Sequence, residues 1–342
     1  MKRLMQHKGK LALLFLAGLV AAYIVLPHTG QAQTGLGERP THIQATAIPL
    51  NTDDPADRTV GKLQYVAGWA LKADDPRFGG WSGLVVRPGG KKLVAISDIG
   101  VWLTADLDMS AKQPLSDAKI IPFEPAQEHA SKSAYDSESV IEMPNDTSAE
   151  GHYIVSFEQK HRLHYAVPGG PNSRAPYSDV IDFTGVEKNS GMEAITWMRG
   201  GAEDGKLLVF IEDPIDDSGN IPMWLAGKTH ADRLWLVPPK DFAATDAATL
   251  SNGDVLLLMR YYSPLKGSAA KILRIKAADI KPGAVVHGEL LATLRPPLSV
   301  DNMEGLTVIE RPNEPPLLLI ISDDNFRLTQ RTLLMAFTLG AG

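Results

Sequence analysis

Apolar positions beyond residue 40 form short β-rich runs and do not recur at the 3.6-residue spacing of an amphipathic helix. Clusters of Gly, Pro, Asn and Asp join the runs in pairs, as in "GLVVRPGGKKLVAISD" from Gly83 and "AITWMRGGAEDGKLLVFIED" from Ala194. Strand, polar turn and strand in this order predict antiparallel β-hairpins. Similar hairpins are predicted from Ser139 and Gly305.

The hairpins repeat along the chain. Aligned on the residue before each opening strand, the clear units begin at Ser82, Glu138, Glu193 and Glu304. A weaker unit, "DAATLSNGDVLLLMRYY", begins at Asp246. Successive starts lie 56, 55, 53 and 58 residues apart, and a near-constant period of this size is typical of a repeat architecture.

A further strand follows four of the hairpins, beginning at Arg162, Arg233, Lys271 and Arg331. Repeats of three or four antiparallel strands predict an all-β propeller, because a lone blade cannot bury both faces and radial stacking can. We expect five blades, or six if the N-terminal strands are an eroded blade. Segments 41–50 and 62–73 lack a hairpin of their own and are predicted to close the ring as outer strands of the last blade. Two unrelated β-sandwiches would not explain the spacing.

Most residues that open the repeats are acidic. In an antiparallel hairpin the start of the first strand lies beside the end of the second. The predicted neighbours are therefore Glu138 with Glu158, Glu193 with Glu212, and Glu304 with Asp323. Third strands start at the same end, so Arg162 and Arg327 belong there, and Arg260 stands in the aligned acid position of the weak unit. One mouth of a central channel is expected to collect these side chains.

Clustered carboxylates raise one another's pKa values unless a cation or arginines neutralise them. A hard divalent ion such as Ca²⁺ takes about six to eight oxygen ligands and suits such a ring. The predicted roles are Glu138, Glu193 and Glu304 as metal ligands, Glu158, Glu212 and Asp323 as general base or supporting acids, and Arg162, Arg260 and Arg327 as anion-binding groups. Alternatively, the repeated acids hydrogen-bond neighbouring blades and take no part in a reaction.

One connection is much longer than its counterparts. Residues 213–232, "DPIDDSGNIPMWLAGKTHAD", are predicted as a loop at the carboxylate end, with Trp224 as a substrate contact; a tolerated surface insertion is the alternative. Ser82 in "GGWSGL" lacks the last glycine and the strand-to-helix context of a nucleophile elbow. His161 and His164 on a strand would point apart, unlike a helical zinc pair.

Composition limits the classes of partner. The chain has 342 residues, a formal net charge of −6 and no cysteine. The acidic balance provides no basic surface for nucleic acid or an anionic bilayer. The lack of cysteine excludes disulfides, thiolate metal sites and thiol nucleophiles. A small anionic or ester substrate is the expected partner.

Residues 1–32 are predicted to be a signal peptide or signal anchor. Basic residues precede the apolar run "LALLFLAGLVAAYIVL", residues 11–26, and Pro27 and polar residues follow it. The run is shorter than the roughly 20 residues that span a bilayer, so cleavage is favoured over an uncleaved anchor. Either outcome predicts a periplasmic or extracellular protein, attached to the inner membrane by residues 11–26 if uncleaved. Residues 33–41 are then a linker and 42–342 one domain.

Five motifs, "RFGGWSGLVVRPGGKKLVAISDIG", "DSESVIEMP", "GMEAITW", "LSNGDVLLLMRYY" and "NMEGLTVIE", together resemble the phytase-like, or "esterase-like activity of phytase", family of exported bacterial proteins over residues 60–340. The acid followed by a small or apolar residue is also similar to gluconolactonase-type propellers. By that likeness Glu138, Glu193 and Glu304 correspond to channel metal ligands. Asp246 and Arg260 depart from the pattern, so a symmetric acid ring is not expected.

The sequence thus predicts an exported propeller hydrolase of phosphate or carboxylic esters, with a divalent cation at the channel mouth. The alternative is a non-catalytic periplasmic propeller that binds a protein or polymer partner on the same face. In that case the acids would be structural.

Overall fold

The computed structural model describes residues 37–123, 135–215, 217–263 and 265–339, which all belong to one of two compact units, residues 31–342. The predicted signal or anchor segment, residues 1–32, lies outside the described residues. Across the described ranges, no helix has the length and apolar character needed to cross a membrane.

Strands make up most of the described chain, and the helices within it are two short 3-10 turns, Pro176–Val180 and Ala277–Asp279. Four strands precede the first repeat: β1 (Arg39–Pro40), β2 (Ile43–Ala47), β3 (Thr59–Val60) and β4 (Leu63–Ala73). The first two repeats contain β5 (Trp81–Val86), β6 (Lys92–Ser97), β7 (Val101–Leu107), β8 (Leu115–Pro122), β9 (Ser137–Glu142), β10 (Tyr153–Phe157), β11 (Arg162–Ala166) and β12 (Ser173–Ala175).

The last three repeats contain the remaining strands of the described chain. The third has β13 (Met192–Trp197), β14 (Leu207–Ile211), β15 (Ile221–Ala226) and β16 (Ala231–Val237). The fourth has β17 (Ala243–Thr249), β18 (Val255–Ser263), β19 (Gly267–Ile275), β20 (Val285–His287) and β21 (Glu289–Leu294). The fifth has β22 (Asn302–Ile309), β23 (Leu317–Asp323) and β24 (Thr332–Leu339).

Each repeat forms one sheet with its first strand innermost. From the centre outward, the orders are β5-β6-β7-β8-β1 in blade 1, β9-β10-β11-β12 in blade 2, β13-β14-β15-β16-β20 in blade 3, β17-β18-β19-β21 in blade 4, and β22-β23-β24-β4-β2 in blade 5. The innermost strands contact one another in a closed circle, β5 to β9, β13, β17, β22 and back to β5. This architecture is the all-β propeller predicted from the repeat, and it has five blades.

The N-terminal strands close the ring as predicted. In blade 5, β4 pairs antiparallel with β24, from Leu71 opposite Thr332 to Leu63 opposite Leu339. Strand β2 then pairs with the outer side of β4. Within the predicted linker, Arg39 and Pro40 form β1 on the outer edge of blade 1. The first and last parts of the domain are therefore held together in one sheet, which leaves no unpaired edge on β24.

The hydrophobic core is divided into five clusters, and each lies between two neighbouring blades. Trp81 and Leu334, for example, are buried in the cluster between blades 1 and 5. Strands buried on both faces explain the nearly continuous apolar runs in the sequence, because only the blade edges and the loops meet water.

The predicted loop over residues 213–232 is wrong. It contains β15, whose residues are all buried, and the first residues of β16, so the connection from β14 is confined to residues 212–220. Trp224 belongs to β15, is 2% exposed and packs in the core between blades 2 and 3. It is therefore unavailable to a substrate. The short run "IPMWLA" between Pro and Gly residues gave too weak a strand signal to be recognised.

Candidate active site

One end of the innermost strands opens into a cavity of about 420 Å³ to which all five blades contribute. Its lining includes two arginines, Arg260 and Arg327, and several side-chain amides. It also includes eight carboxylates, which are Asp98, Asp136, Glu138, Glu158, Glu193, Glu212, Glu304 and Asp323. The three glutamates that open repeats and their predicted hairpin neighbours thus line one cavity.

A β-bulge recurs at this end of the innermost strands. In β13, Met192 pairs with Ile211 and Ala194 pairs with Phe210, so Glu193 is an extra residue between them. Glu304 in β22 and Ser82 in β5 occupy the same bulged position. A bulge bends the strand and re-aims the extra side chain. The repeated polar residue therefore marks the point where each strand directs a side chain toward the cavity.

Two groups of three carboxylates lie close enough to share a cation. One oxygen each of Asp136, Glu138 and Glu158 lie within 4.8 Å of one another, and so do oxygens of Glu158, Glu193 and Glu212. Glu158 belongs to both groups. We name these five side chains the acidic clusters. All their donor atoms are carboxylate oxygens, the ligands that hard divalent cations prefer.

Burial and mutual repulsion both act on the acidic clusters. Burial raises the pKa of Glu138 well above its usual value, and the charges of Glu193 and Asp136 add to the effect. The pKa of Glu193 is raised well above its usual value by burial and by the charges of Glu212 and Glu304. A bound cation would favour the ionised forms by opposing both effects.

Arg260 supplies positive charge on the side of the cavity formed by blades 4 and 5. Its Nη2 donates a hydrogen bond of 2.9 Å to Glu212 Oε1, and its Nε lies 3.1 Å from Glu304 Oε1 in an ion pair. The pKa of Arg260 is raised above its usual value, chiefly by the charge of Glu304. Glu304, predicted as a metal ligand, thus pairs with Arg260 and belongs to neither of the acidic clusters.

Glu304 and Asp323 are two further carboxyls of the cavity, and each accepts a hydrogen bond from an asparagine. Glu304 Oε1 accepts a 2.7 Å hydrogen bond from Asn302 Nδ2, and burial raises the pKa of Glu304 to about 7. Asp323 accepts a hydrogen bond of 2.6 Å from the Asn325 backbone N–H. Burial and the nearby Asp98 charge raise the pKa of Asp323 well above its usual value. Near neutral pH, Glu304 can therefore exchange a proton, and burial favours the protonated form of Asp323.

The remaining predicted residues divide between the cavity and the blades. Arg327 lines the cavity, whereas Arg162 does not. The guanidinium of Arg162 lies 4.2 Å from the centre of the Phe157 ring, and its Nη1 donates to the Lys160 carbonyl. Arg162 therefore packs along its own blade, with Asp136 among the charges near its guanidinium, and its contact with a substrate anion stays a prediction.

Several lining residues were not identified from the sequence. Asp136, Tyr262, Asn302 and Asn325 line the cavity. Each lies two residues from a predicted site residue, and alternate residues of a strand share a face. This period-two spacing is a signal that could have found them.

Asp246, predicted to open the fourth repeat, is one residue past the bulged position, because Ala244 pairs with Met259 and Asp246 with Leu258, which makes Thr245 the extra residue of β17. Asp246 does not line the mouth cavity, and its carboxylate is buried among the innermost strands. Ser139 Oγ donates to its Oδ1 at 2.9 Å, and the Leu306 backbone N–H donates to its Oδ2 at 2.7 Å. A second cavity of about 330 Å³ opens at the opposite end of the same strands. Asp246 thus ties blades 2, 4 and 5 together between the two cavities.

Comparison with known proteins gives a match to one family and matches to many solved structures. Residues 76–326 match the sequence profile of a family described as "Phytase-like: Esterase-like activity of phytase". No curated protein gives a significant match. A gluconolactonase structure from Xanthomonas campestris aligns at 10% identity over 87% of this chain and 95% of its own, with a TM-score of 0.42. A glucose dehydrogenase aligns at 11% identity over 77% and 97%, with a TM-score of 0.37. Similarities this distant do not identify an activity for this chain.

Proposed function

We propose that the chain, which belongs to the phytase-like family, hydrolyses phosphate or carboxylic esters in the mouth cavity with the help of a divalent cation. The family is named for an esterase-like activity, and membership makes the chain a hydrolase-type propeller. The observation that carries this proposal is the convergence of five carboxylates in two groups of three that share Glu158, in a cavity that Arg260 and Arg327 also line.

The acidic clusters fit a hard cation, and we propose Ca²⁺ as the first candidate. Their donor set is entirely carboxylate oxygen, and the repulsion that raises the pKa values of Glu138 and Glu193 is the condition that a cation relieves. Glu158 is the central proposed ligand because it belongs to both groups, with Glu138 and Glu193 beside it. When bound, such an ion supplies Lewis-acid assistance to an ester oxygen.

The other side chains of the cavity have separate proposed roles. Arg327 would orient the phosphate or carbonyl group of the ester. Arg260 would do the same through Nη1, because its Nη2 and Nε pair with Glu212 and Glu304. Glu304 is proposed to accept a proton from the attacking water, and Asp323 to donate one to the leaving oxygen. Both line the same cavity outside the acidic clusters. Their raised pKa values support a proton acceptor and a proton donor near neutral pH.

Cation dependence tests the proposal. With p-nitrophenyl acetate and p-nitrophenyl phosphate as substrates, we expect chelation with EDTA to lower kcat/KM for the hydrolysed ester by about 100-fold or more, because Lewis-acid assistance is worth several kcal/mol. Added CaCl2 restores the rate. Chelation should also lower the Tm by about 5 °C or more, as expected when about 100 Kd of cation is withdrawn from a chain of this size.

The variant Glu138→Gln/Glu193→Gln tests whether the cation acts at the acidic clusters. We expect it to lose hydrolysis and to show little change in Tm on chelation, while Glu150→Gln, at an exposed loop position, behaves as the wild type does. Full hydrolysis by the double variant would contradict the proposal. So would a wild-type rate and Tm that EDTA leaves unchanged.

A further inference from the structure

Large apolar side chains are exposed beside the mouth cavity. Six such side chains are exposed in the described part of the chain, and three of them belong to the β18–β19 hairpin and to the connection from β23 to β24. Tyr262 lines the cavity and is 50% exposed, Leu265 is 96% exposed and Leu328 is fully exposed. The other three, Val66, Val285 and Leu290, lie on outer strands. We name Tyr262, Leu265 and Leu328 the apolar rim.

The topology places the apolar rim on the arginine side of the cavity. The β18–β19 hairpin continues beyond Arg260, with Tyr262 opposite Ser268 and Leu265 in the turn that follows. Leu328 directly follows Arg327, in the connection from β23 to β24 of the adjacent blade. The acidic clusters, in contrast, belong to blades 2 and 3. A substrate held by the arginines would therefore pass over the rim as it leaves the cavity.

The charge of the lining opposes a substrate with several phosphates. Eight carboxylates and two guanidiniums line the cavity, so negative groups exceed positive ones even where some carboxyls are protonated or one divalent cation is bound. Each added phosphate brings about −1.5 to −2 charges at neutral pH. A neutral ester avoids this repulsion. The apolar rim offers surface to such a molecule and none to a phosphate-rich one.

We propose that the substrate is a carboxylic ester with an apolar group, whose ester lies in the mouth cavity beside the acidic clusters and the arginines and whose apolar group lies on Tyr262, Leu265 and Leu328. This inference rests on the proposed function and narrows it to one substrate class. Contact with the rim buries one side of the apolar group and most of Leu265 and Leu328. Exposed leucines beside a polar cavity then have a binding role.

Two ester series test the inference in 1 mM CaCl2. In the first series, p-nitrophenyl acetate, butyrate and hexanoate vary the acyl group. In the second, the acetates of methanol to pentanol vary the alcohol, and proton release measures their hydrolysis. A fully buried methylene is worth about fourfold in affinity, and one-sided contact roughly twofold. We therefore expect kcat/KM to rise about tenfold over four added methylenes in one of the two series.

The variant Leu265→Ser/Leu328→Ser should reduce that preference to about twofold, whereas the matched control Val285→Ser/Leu290→Ser, on the outer strands, retains it. Equal kcat/KM along both series, or p-nitrophenyl phosphate hydrolysed better than every carboxylic ester, overturns the inference and leaves the proposed hydrolysis intact. No hydrolysis of any ester overturns both. Light scattering measures the oligomeric state of the wild type and of Leu265→Ser/Leu328→Ser. A wild-type dimer that this variant dissociates would assign the apolar rim to a second copy of the chain and overturn the inference.

Discussion

At the scale of single residues, the acids near the start of the innermost strands have two different uses. Glu138, Glu193 and Glu304 line the mouth cavity, but Asp246 is buried between the blades. Burial raises the pKa of Asp246 well above its usual value. Hydrogen bonds from the Leu306 and Ala247 backbone and from Ser139 lower this pKa, but burial has the larger effect. The structural role that the sequence left open as an alternative thus fits one member of the set.

We expect Asp246→Asn to lower the free energy of unfolding by about 1–3 kcal/mol. Both oxygens of Asp246 accept hydrogen bonds, and an amide offers one oxygen and one NH2, so a buried backbone N–H of Leu306 or Ala247 loses its acceptor. Urea unfolding measures the change. Asp53→Asn, at an exposed position, is the control and should stay within about 0.5 kcal/mol. Equal stability of both variants would show that Asp246 is not a strut.

At the scale of elements, a small residue follows the bulge in four of the five innermost strands. These residues are Gly83, Ser139, Ala194 and Gly305, whereas Asp246 follows the bulged Thr245 in β17. Where the innermost strands meet, a side chain would collide with the neighbouring blade. A Cβ on Gly305 would lie 2.9 Å from Leu84 Cβ and 2.7 Å from Ile321 Cγ2, and one on Gly83 would lie 2.9 Å from the Val140 backbone nitrogen. The pair of acid and small residue therefore combines a directed carboxylate with close strand packing.

The substitution Gly305→Ala should therefore lower the free energy of unfolding by about 1–3 kcal/mol, as overpacking does in close-packed cores. Strand β5 cannot move away without disturbing its contact with β9. Gly227→Ala is the matched control, because its nearest neighbour would be the His230 carbonyl at 3.4 Å. Chemical denaturation of the two variants checks the prediction, and an unchanged Gly305→Ala midpoint would contradict it.

At the scale of the whole molecule, buried acids make stability depend on pH. Asp246 and Asp323 have pKa values raised well above those of exposed aspartates. A carboxyl of this kind contributes stability that is fully present below its unfolded pKa, near 4, and is lost as the pH rises through its folded pKa. Asp75 and Asp254 act in the opposite direction, since their lowered pKa values remove stability only as the pH falls below about 4.

In EDTA, the Tm is therefore expected to fall as the pH is raised from 5 to 8. Asp323→Asn should reduce that fall, because the amide does not ionise, whereas Asp53→Asn should leave it unchanged. Calorimetric scans at several pH values make the measurement. A Tm that is constant or rises over this interval would show that the buried carboxyls do not control stability.

Much of the architecture could be predicted because hairpin structure is local. The strand order within a repeat, the antiparallel register and the period follow from turns and apolar runs a few residues apart, so the five blades and the shared end of Glu138, Glu158, Glu193 and Glu212 were accessible. Two predictions failed where packing overrides local signals. The predicted loop 213–232 contains the buried strand β15, and Trp224 within that strand is covered by neighbouring blades.

The sequence by itself determined the propeller repeat, its closure by the N-terminal strands and the end of each blade at which its acids lie. Only the tertiary structure decided which acids from different blades become neighbours. It joins Glu158 to both acidic clusters, pairs Glu304 with Arg260 and buries Asp246. The physical reason is that distances between blades, and the burial that shifts pKa values, arise from packing around the ring, and no run of neighbouring residues encodes either.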